Sequence, residues 1–313
     1  MKINFCSYFD KNYLSKFLNL KSSLDRFNFE YTFYVLALDN YVVEFFKENN
    51  FDNLKIIQLD EIENNYKLLK IAKKNRDTIE YYFTLSPFLP LYIFENENIN
   101  QITYLDSDFY FFKSPKKRIQ ETIDCSVSFI RQNVDDRYGK YNVGWINFNF
   151  DFDETKIIVK EWCNECLNEC TDIPTDNSYA DQKYLDKWPE KLKYLRVFQP
   201  ESTCLSPWDS NLVIEENIEI MIAFHFHGLE LYENYFTSGF YQFNKKNIQR
   251  IIDRIYIPYI KNLISIEKKY NLKSSSIRHR RKKIFTKCLI ILRNIKSSIK
   301  KVYYKDYHSY KIR

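Results

Sequence analysis

Residues 104–112 read YLDSDFYFF, with two acids, Asp106 and Asp108, separated by one serine inside an otherwise apolar run. Burying an unpaired carboxylate is costly unless a cation or dense hydrogen bonding compensates it, so this stretch calls for positive charge. In an extended segment side chains alternate, which puts Asp106 and Asp108 on one side. Together they offer hard oxygen ligands suited to Mg²⁺ or Mn²⁺, ions that keep coordination positions open for water and substrate phosphates. An acid pair at a strand end therefore fits a metal diphosphate better than a structural metal. The plainer alternative is a turn, since Asp and Ser are common turn formers. What decides between the two is the surrounding sequence.

Upstream, KINFCSY, YTFYVLALD and LKIIQLDEI have the composition of strands, and DKNYLSKFLNLKSSLDRF and VVEFFKENNF have helical spacing between them. SPFLPLYIFENEN reads as a helix starting near Pro87, and INQITYLD then delivers the acid pair at the end of a fourth or fifth strand. Strands alternating with helices at this spacing predict an α/β fold, Rossmann-like, with a mostly parallel sheet that binds ligands beyond its carboxyl ends. After Phe112 the pattern shortens. CSVSFIRQ and KYNVGWINFNFD read as strands, IIVKEWCNECLNEC as a helix, then come a loop into DQKYLDKW and the apolar run IEIMIAFHFHG. Residues 244–270 are helical in pattern, with Ile248, Ile251, Ile252 and Ile255 on one side, and a last basic helix follows SSS at 274–276. There is no internal repeat.

The chain has 313 residues, 45% of them apolar and 18% aromatic, enough to bury a sizeable core. Only 4 residues are glycine, where average usage predicts roughly 22; those that persist are expected where other residues do not fit. Net charge is +6, unevenly spread: from Lys268 onward there are 16 Lys and Arg against the single acid Asp306, which leaves an acidic body. The tail places Ile284, Cys288, Ile291, Ile295, Ile299 and Val302 at helical spacing after RHRRKK. Such a basic amphipathic helix suits an anionic membrane surface, with a solvated face packed on the body or a nucleic acid as alternatives. The first residues read as a strand rather than a secretory leader, and no run reaches the roughly 18 to 20 apolar residues of a membrane span. The expectation is a reducing, cytoplasmic setting, peripheral to the inner face of the membrane. Cys163, Cys166 and Cys170 fall on one side of a helix and read as buried thiols, since zinc needs a fourth ligand and a turn.

YLDSDFYFF resembles the strand and D-x-D motif of the GT-A glycosyltransferases, enzymes that move a sugar from a nucleotide diphosphate to an acceptor with a divalent cation on the diphosphate. Further segments match in the same order: YNVGWINF (141–148) resembles the N-x-G strand of glycogenin-like and lipopolysaccharide galactosyltransferase-like enzymes, DQKYLD (181–186) their DQ segment and FHFHG (224–228) their HFxG segment. The combination with SPWDSN is similar to a subgroup of bacterial polysaccharide assembly, which implies capsule or lipopolysaccharide chemistry. The resemblance implies a catalytic domain over 1–243, with a nucleotide-binding half (1–112) and an acceptor and metal half (113–243), followed by basic amphipathic helices over 244–313.

The resemblance also implies roles. Asp106, Asp108 and His225 would ligate Mn²⁺ or Mg²⁺, with His227 as second choice; an extended AFHFHG places both imidazoles on one face. Asp106 and Ser107 would face the nucleotide sugar, as would Gly228. Gln182 would sit near the anomeric carbon, Asp181 would touch a sugar, and Asn142 is a neutral amide for sugar hydroxyls. Gly144 is expected where a ligand or strand comes close. Ser7 and Tyr8, ending the first strand, would meet base and ribose, Tyr8 or Tyr13 would stack on uracil, and Asp39 would bind the nucleotide. Arg131 is the expected guanidinium near the metal site, suited to pair with phosphate or a sugar carboxylate, whereas YFTLSPF lacks the basic residue that the family often carries just before its P-x-hydrophobic helix. The partners that the resemblance implies are a nucleotide-sugar donor, UDP-linked, and a glycan or lipid-linked acceptor, with no nucleic acid expected. Retention follows from the glycogenin likeness, whereas inversion would need Asp181 or Asp209 as base. Two other functions compete. A metal-dependent phosphohydrolase would need D-x-D-x-[TV], but Tyr110 stands at the last place, and a nucleic-acid binder would have to overcome the acidic body.

Overall fold

The computed structural model describes residues 2–209, 211–232, 235–238 and 248–272, together with the backbone of 309–311. The first half alternates as its sequence pattern requires: β1 (Ile3–Phe9), α1 (Leu14–Asp25), β2 (Tyr31–Ala37), α2 (Asn40–Glu48), β3 (Leu54–Gln58), then the helices α3 (Leu59–Asn65), α4 (Leu68–Asn75), α5 (Thr78–Leu85) and α6 (Phe88–Glu97), and β4 (Gln101–Leu105). The run LKIIQLDEI is thus split, its strand ending at Gln58, because Glu61 accepts from the Gln58 amide at 2.7 Å and starts α3 at Leu59.

After β4 come β5 (Phe109–Phe111), α7 (Lys116–Gln120), β6 (Val127–Arg131), β7 (Tyr141–Asn149), α8 (Asp153–Asn168), β8 (Leu195–Phe198), β9 (Cys204–Leu205) and β10 (Ala223–His225). The apolar run IEIMIAFHFHG is not one extended element: Glu215–Ile220 is helical and only Ala223–His225 is strand. Cys163 and Cys166 are buried in α8, while Cys170 lies two residues beyond its end.

The main sheet has the order β3-β2-β1-β4-β7-β6-β8. Neighbours are parallel except at β7, which runs antiparallel to both β4 and β6. Every residue of β2 is buried, as expected of a strand covered on both faces. Phe5, Phe33 and Val35 pack under α1 and α2, and Cys6, Tyr34 and Leu36 face the layer that includes α5, α6 and α8. The chain runs outward from β1 to β3 and returns on the other side of β1 as β4. That reversal makes the carboxyl ends of β1 and β4 the switch point of the sheet, the place where open α/β sheets bind ligands.

A smaller sheet, β5-β10-β9, crosses this end. It is covered by the helical segment Ile248–Lys269, whose Ile255, Tyr256, Tyr259 and Ile260 pack with Tyr110, Phe224 and Phe226. The same segment is tied to α1, since Asn19 Nδ2 donates to the Tyr259 carbonyl at 3.2 Å. Backbone 309–311 pairs with the strand Tyr235–Thr237. The expected basic helix after 274–276, with RHRRKK, lies outside the described residues.

Candidate active site

Asp106 and Asp108 follow the carboxyl end of β4, beside that of β1, but do not lie on an extended strand. β4 ends at Leu105 and residues 106–108 form a tight turn, with Phe109 N donating to the Asp106 carbonyl at 3.3 Å. The turn matters because it lets β5 fold back beside β10, pairing His225 with Phe109, and Phe226 N donates to the Asp108 carbonyl at 2.9 Å. His225 Nε2 is thereby 3.0 Å from Asp108 Oδ1 and 3.6 Å from Asp106 Oδ2. One ligand atom from each of the three residues falls within 4.8 Å of the others.

The imidazole is fixed by packing: it stacks on Phe109 with ring centroids 4.5 Å apart and meets Trp208 edge-on at 5.4 Å. His225 is buried, and its Nδ1 has no hydrogen-bond partner among the described residues. Asp106 is oriented from behind by Tyr104, whose hydroxyl donates to Oδ1 at 2.9 Å, and its amide donates to the Gly144 carbonyl at 2.9 Å. β7 carries a bulge here, since its register against β6 shifts between Phe129 and Ile130, and Gly144 lies in the looped-out part. A Cβ at Gly144 would stand 2.7 Å from Asp106 Oδ2, so the glycine keeps open the space into which that oxygen points.

Charge follows this geometry. Burial pushes the Asp106 carboxyl up. Burial acts the same way on Asp108, but the His225 charge and hydrogen bond outweigh it, with Lys16 adding to them, and hold Asp108 well below the usual carboxylate range. Burial would depress His225, but Asp108 reverses that and raises it. Two carboxylates and one imidazole converge with no guanidinium between them among the described residues, an oxygen and nitrogen donor set that fits Mg²⁺ or Mn²⁺.

Asp181 is a third acid in reach. It is buried, and burial raises it to about 7, with Asp106 pushing the same way and a hydrogen bond from Ser86 opposing. Ser86 Oγ is also 2.9 Å from the Tyr8 hydroxyl, which burial and the charges of Asp181 and Asp106 push up. Tyr8, Ser86, Tyr104, Asp106 and Asp181 thus form one polar wall.

Other expected residues are placed differently. Gln182 is a clasp: Nε2 donates to the Tyr138 carbonyl at 2.7 Å and Oε1 accepts from Val143 N at 3.4 Å. Asn142 Oδ1 accepts from Gly144 N at 2.7 Å and so shapes the bulge. Asp39 caps α2 through Val42 N and also accepts from Lys11 N at 2.8 Å. β1 continues to Phe9, so Ser7 does not end it; Ser7 is fully buried in the sheet and presents nothing to a ligand. Tyr13 is 41% exposed at the start of α1. Ser107 is buried in the acid turn, and Gly228, at φ 71°, makes the left-handed turn after β10 that a side chain would strain. His227 is exposed beside Trp208 and stays outside the cluster of Asp106, Asp108 and His225.

Arg131 corrects the expectation most. It is exposed at the end of β6, with β7 between its strand and β4, and the cation beside the acids is Lys16 instead. Lys16 Nζ lies 3.8 Å from Asp108 Oδ2 and 3.9 Å from the centroid of the Tyr13 ring. Nothing in the local pattern marks Lys16, which reads as an ordinary helix lysine until α1 is laid against the acid turn.

No protein-family model matches the chain. It is 26% identical over 251 residues to the uncharacterized protein YfnF of Bacillus subtilis, covering 72% of this chain and 82% of that one. It is likewise 26% identical over 281 residues to YfnD of the same organism, at 83% and 88%. Among solved structures, the apo glycosyltransferase GlyE of Streptococcus pneumoniae matches with TM-score 0.53 and 12% identity, over 90% of this chain and 66% of that one. Apo mouse xyloside xylosyltransferase 1 matches with TM-score 0.50 and 12% identity, over 73% and 98%. At this identity the likeness speaks for the fold: the chain has the GT-A glycosyltransferase fold, mixed α/β with a mostly parallel sheet, and carries an Asp-x-Asp and histidine cluster at the carboxyl end of its fourth strand.

Proposed function

We propose that the chain is a divalent-metal-dependent glycosyltransferase that moves a hexose from a nucleotide diphosphate, UDP in the first instance, to a polysaccharide or lipid-linked acceptor. The observation that carries this reading is the convergence of Asp106, Asp108 and His225 within 4.8 Å at the switch point of a GT-A sheet. Asp106, Asp108 and His225 would hold Mn²⁺ or Mg²⁺, which when bound stabilises the charge that builds on the leaving diphosphate. The protein supplies the rest. Tyr104 fixes the Asp106 carboxylate, Phe109 and Trp208 fix the imidazole, and the Gly144 bulge leaves room at Asp106 Oδ2.

Asp181, buried and shifted to about 7, would meet a sugar hydroxyl, while Gln182 clasps Tyr138 and Asn142 shapes the Gly144 bulge. Asp39 and the Tyr8 hydroxyl, at the ends of β2 and β1, would serve the nucleoside. Retention rests on the likeness of the motifs. Asp209, the other acid an inverting reaction would draw on, already accepts from Ser206 N at 2.9 Å and from Asn133 at 3.2 Å. The basic cluster RHRRKK supports docking on the inner face of an anionic membrane, where lipid-linked acceptors reside.

Thermal shift with UDP and Mn²⁺ tests the reading. A ligand at about 100 times its Kd stabilises by about 2.7 kcal/mol, so UDP with Mn²⁺ should raise Tm by several degrees and UDP with EDTA should not. Asp106→Asn and Asp108→Asn should each remove the Mn²⁺-dependent part while leaving the variant folded. Equal shifts in wild type and both variants would end the metal reading.

A further inference from the structure

The cation next to the acid turn comes from an element no motif covers. Lys16 stands in the first turn of α1, where the helix dipole disfavours a positive charge, and that turn holds no acid. Its position therefore does not serve helix stability. Its side chain is only 12% exposed and its partner Asp108 is 6% exposed, so the pair is largely withdrawn from water. Yet the separation of 3.8 Å exceeds the roughly 2.7–2.9 Å of a closed charge-assisted hydrogen bond. Lys16 leans on Asp108 without being locked to it, its ammonium held over the Tyr13 ring.

Among the described residues the groups facing it are few. Asp108 attracts it, Tyr13 cradles it, and His225 and His227 both feel its charge. Among the described residues Lys16 is the Lys or Arg that pairs with either aspartate of the cluster. A divalent ion held by Asp106, Asp108 and His225 would repel this ammonium. A diphosphate on that ion would attract it, and a lysine stem is long and flexible enough to follow.

We propose that Lys16 is an exchangeable counter-charge of the site: it neutralises Asp108 while the metal is absent and turns to the diphosphate of the donor once the metal is bound. This rests on the reading given under Proposed function. It makes Lys16 a donor-binding residue and a competitor of the metal at once.

The two roles predict opposite signs, which a merely structural lysine would not give. With the full chain, Mn²⁺ binding without nucleotide is measured from the electron paramagnetic resonance of the free ion, and UDP binding in saturating Mn²⁺ by calorimetry. Lys16→Met should bind Mn²⁺ alone several-fold more tightly than wild type and bind UDP about tenfold more weakly, about 1.4 kcal/mol. Lys16→Arg should restore UDP binding to within a few-fold. If Lys16→Met leaves both affinities unchanged, or moves both in the same direction with a lowered Tm, the proposal is overturned while the glycosyltransferase reading stands. If wild type itself binds no Mn²⁺, the metal reading fails and this proposal falls with it.

Discussion

Gly144→Ala puts one methyl group against the most sensitive oxygen of the site. The new Cβ would stand 2.7 Å from Asp106 Oδ2, 2.8 Å from Phe109 Cε2 and 2.9 Å from Asn142 Oδ1, all closer than real Cβ contacts come. None of these can yield freely. Asp106 is pinned by Tyr104 and by its own amide, Phe109 is fully buried under the stacked His225 ring, and Asn142 Oδ1 holds the bulge. Forcing a methyl into such packing costs about 1–3 kcal/mol, or a Tm loss of about 2–6 °C for a chain of this size. The carboxylate must also swing from the position that lies 3.6 Å from His225 Nε2. Misorienting one ligand this way should weaken Mn²⁺ binding about 10- to 100-fold, as loss of an outer-shell partner does.

Gly139→Ala is the matched control. Gly139 has φ 93° and a Cβ there would meet Lys183 Cα at 3.2 Å, so stability should fall by about 1–2 kcal/mol through backbone strain. Its Mn²⁺ affinity should stay at the wild-type value. Calorimetric Mn²⁺ titrations and melting curves on the three proteins separate the two effects. If Gly144→Ala binds Mn²⁺ within twofold of wild type, or if both alanines weaken it equally, then Oδ2 of Asp106 does not face the metal and the reasoning fails.

Three further outcomes are expected. Asp181 sits at about 7 against an ordinary 3.8, so between about pH 4 and pH 7 the unfolded chain gives up a proton that the folded chain keeps, and stability falls as pH rises through that window. The full loss, on the order of 4 kcal/mol, is present above pH 7. Asp181→Asn should therefore melt higher than wild type at pH 8 and lose that advantage at pH 4; a pH-independent difference would contradict the buried acid. Asp209, also shifted to about 7 by burial, should behave likewise in Asp209→Asn, reduced by the hydrogen bonds it receives from Ser206 and Asn133. For the membrane, replacing Arg278, Arg280, Arg281, Lys282 and Lys283 by Gln is a cleaner change than truncation, because truncation would also delete strand 309–311. Sedimentation with vesicles containing anionic lipid should then show binding weakened by about 1 kcal/mol per charge removed, and unchanged binding would refute surface docking by this cluster.

Much of the frame was legible locally. Short continuous apolar runs such as YTFYVLA and helical spacing in LSKFLNLKSSLD mark β2 and α1, and their alternation implies a parallel sheet whose carboxyl ends bind ligands. An acid pair set in apolar sequence announced that something positive would sit there, and the rare Gly144 announced a close approach. Those signals are readable because each depends on neighbours in the chain. What answered the acids was not readable in that way. The turn at 106–108, the pairing of Phe109 with His225 and the approach of Lys16 join segments distant in sequence, and only packing brings them together. Arg131 and Ser7 have residue types suited to the site but lie at an outer strand end and inside the sheet. Residue type and period set which side chains can do this chemistry, whereas tertiary contact decides which of them share one small desolvated volume, where a charge a few ångströms away outweighs anything its sequence neighbours do.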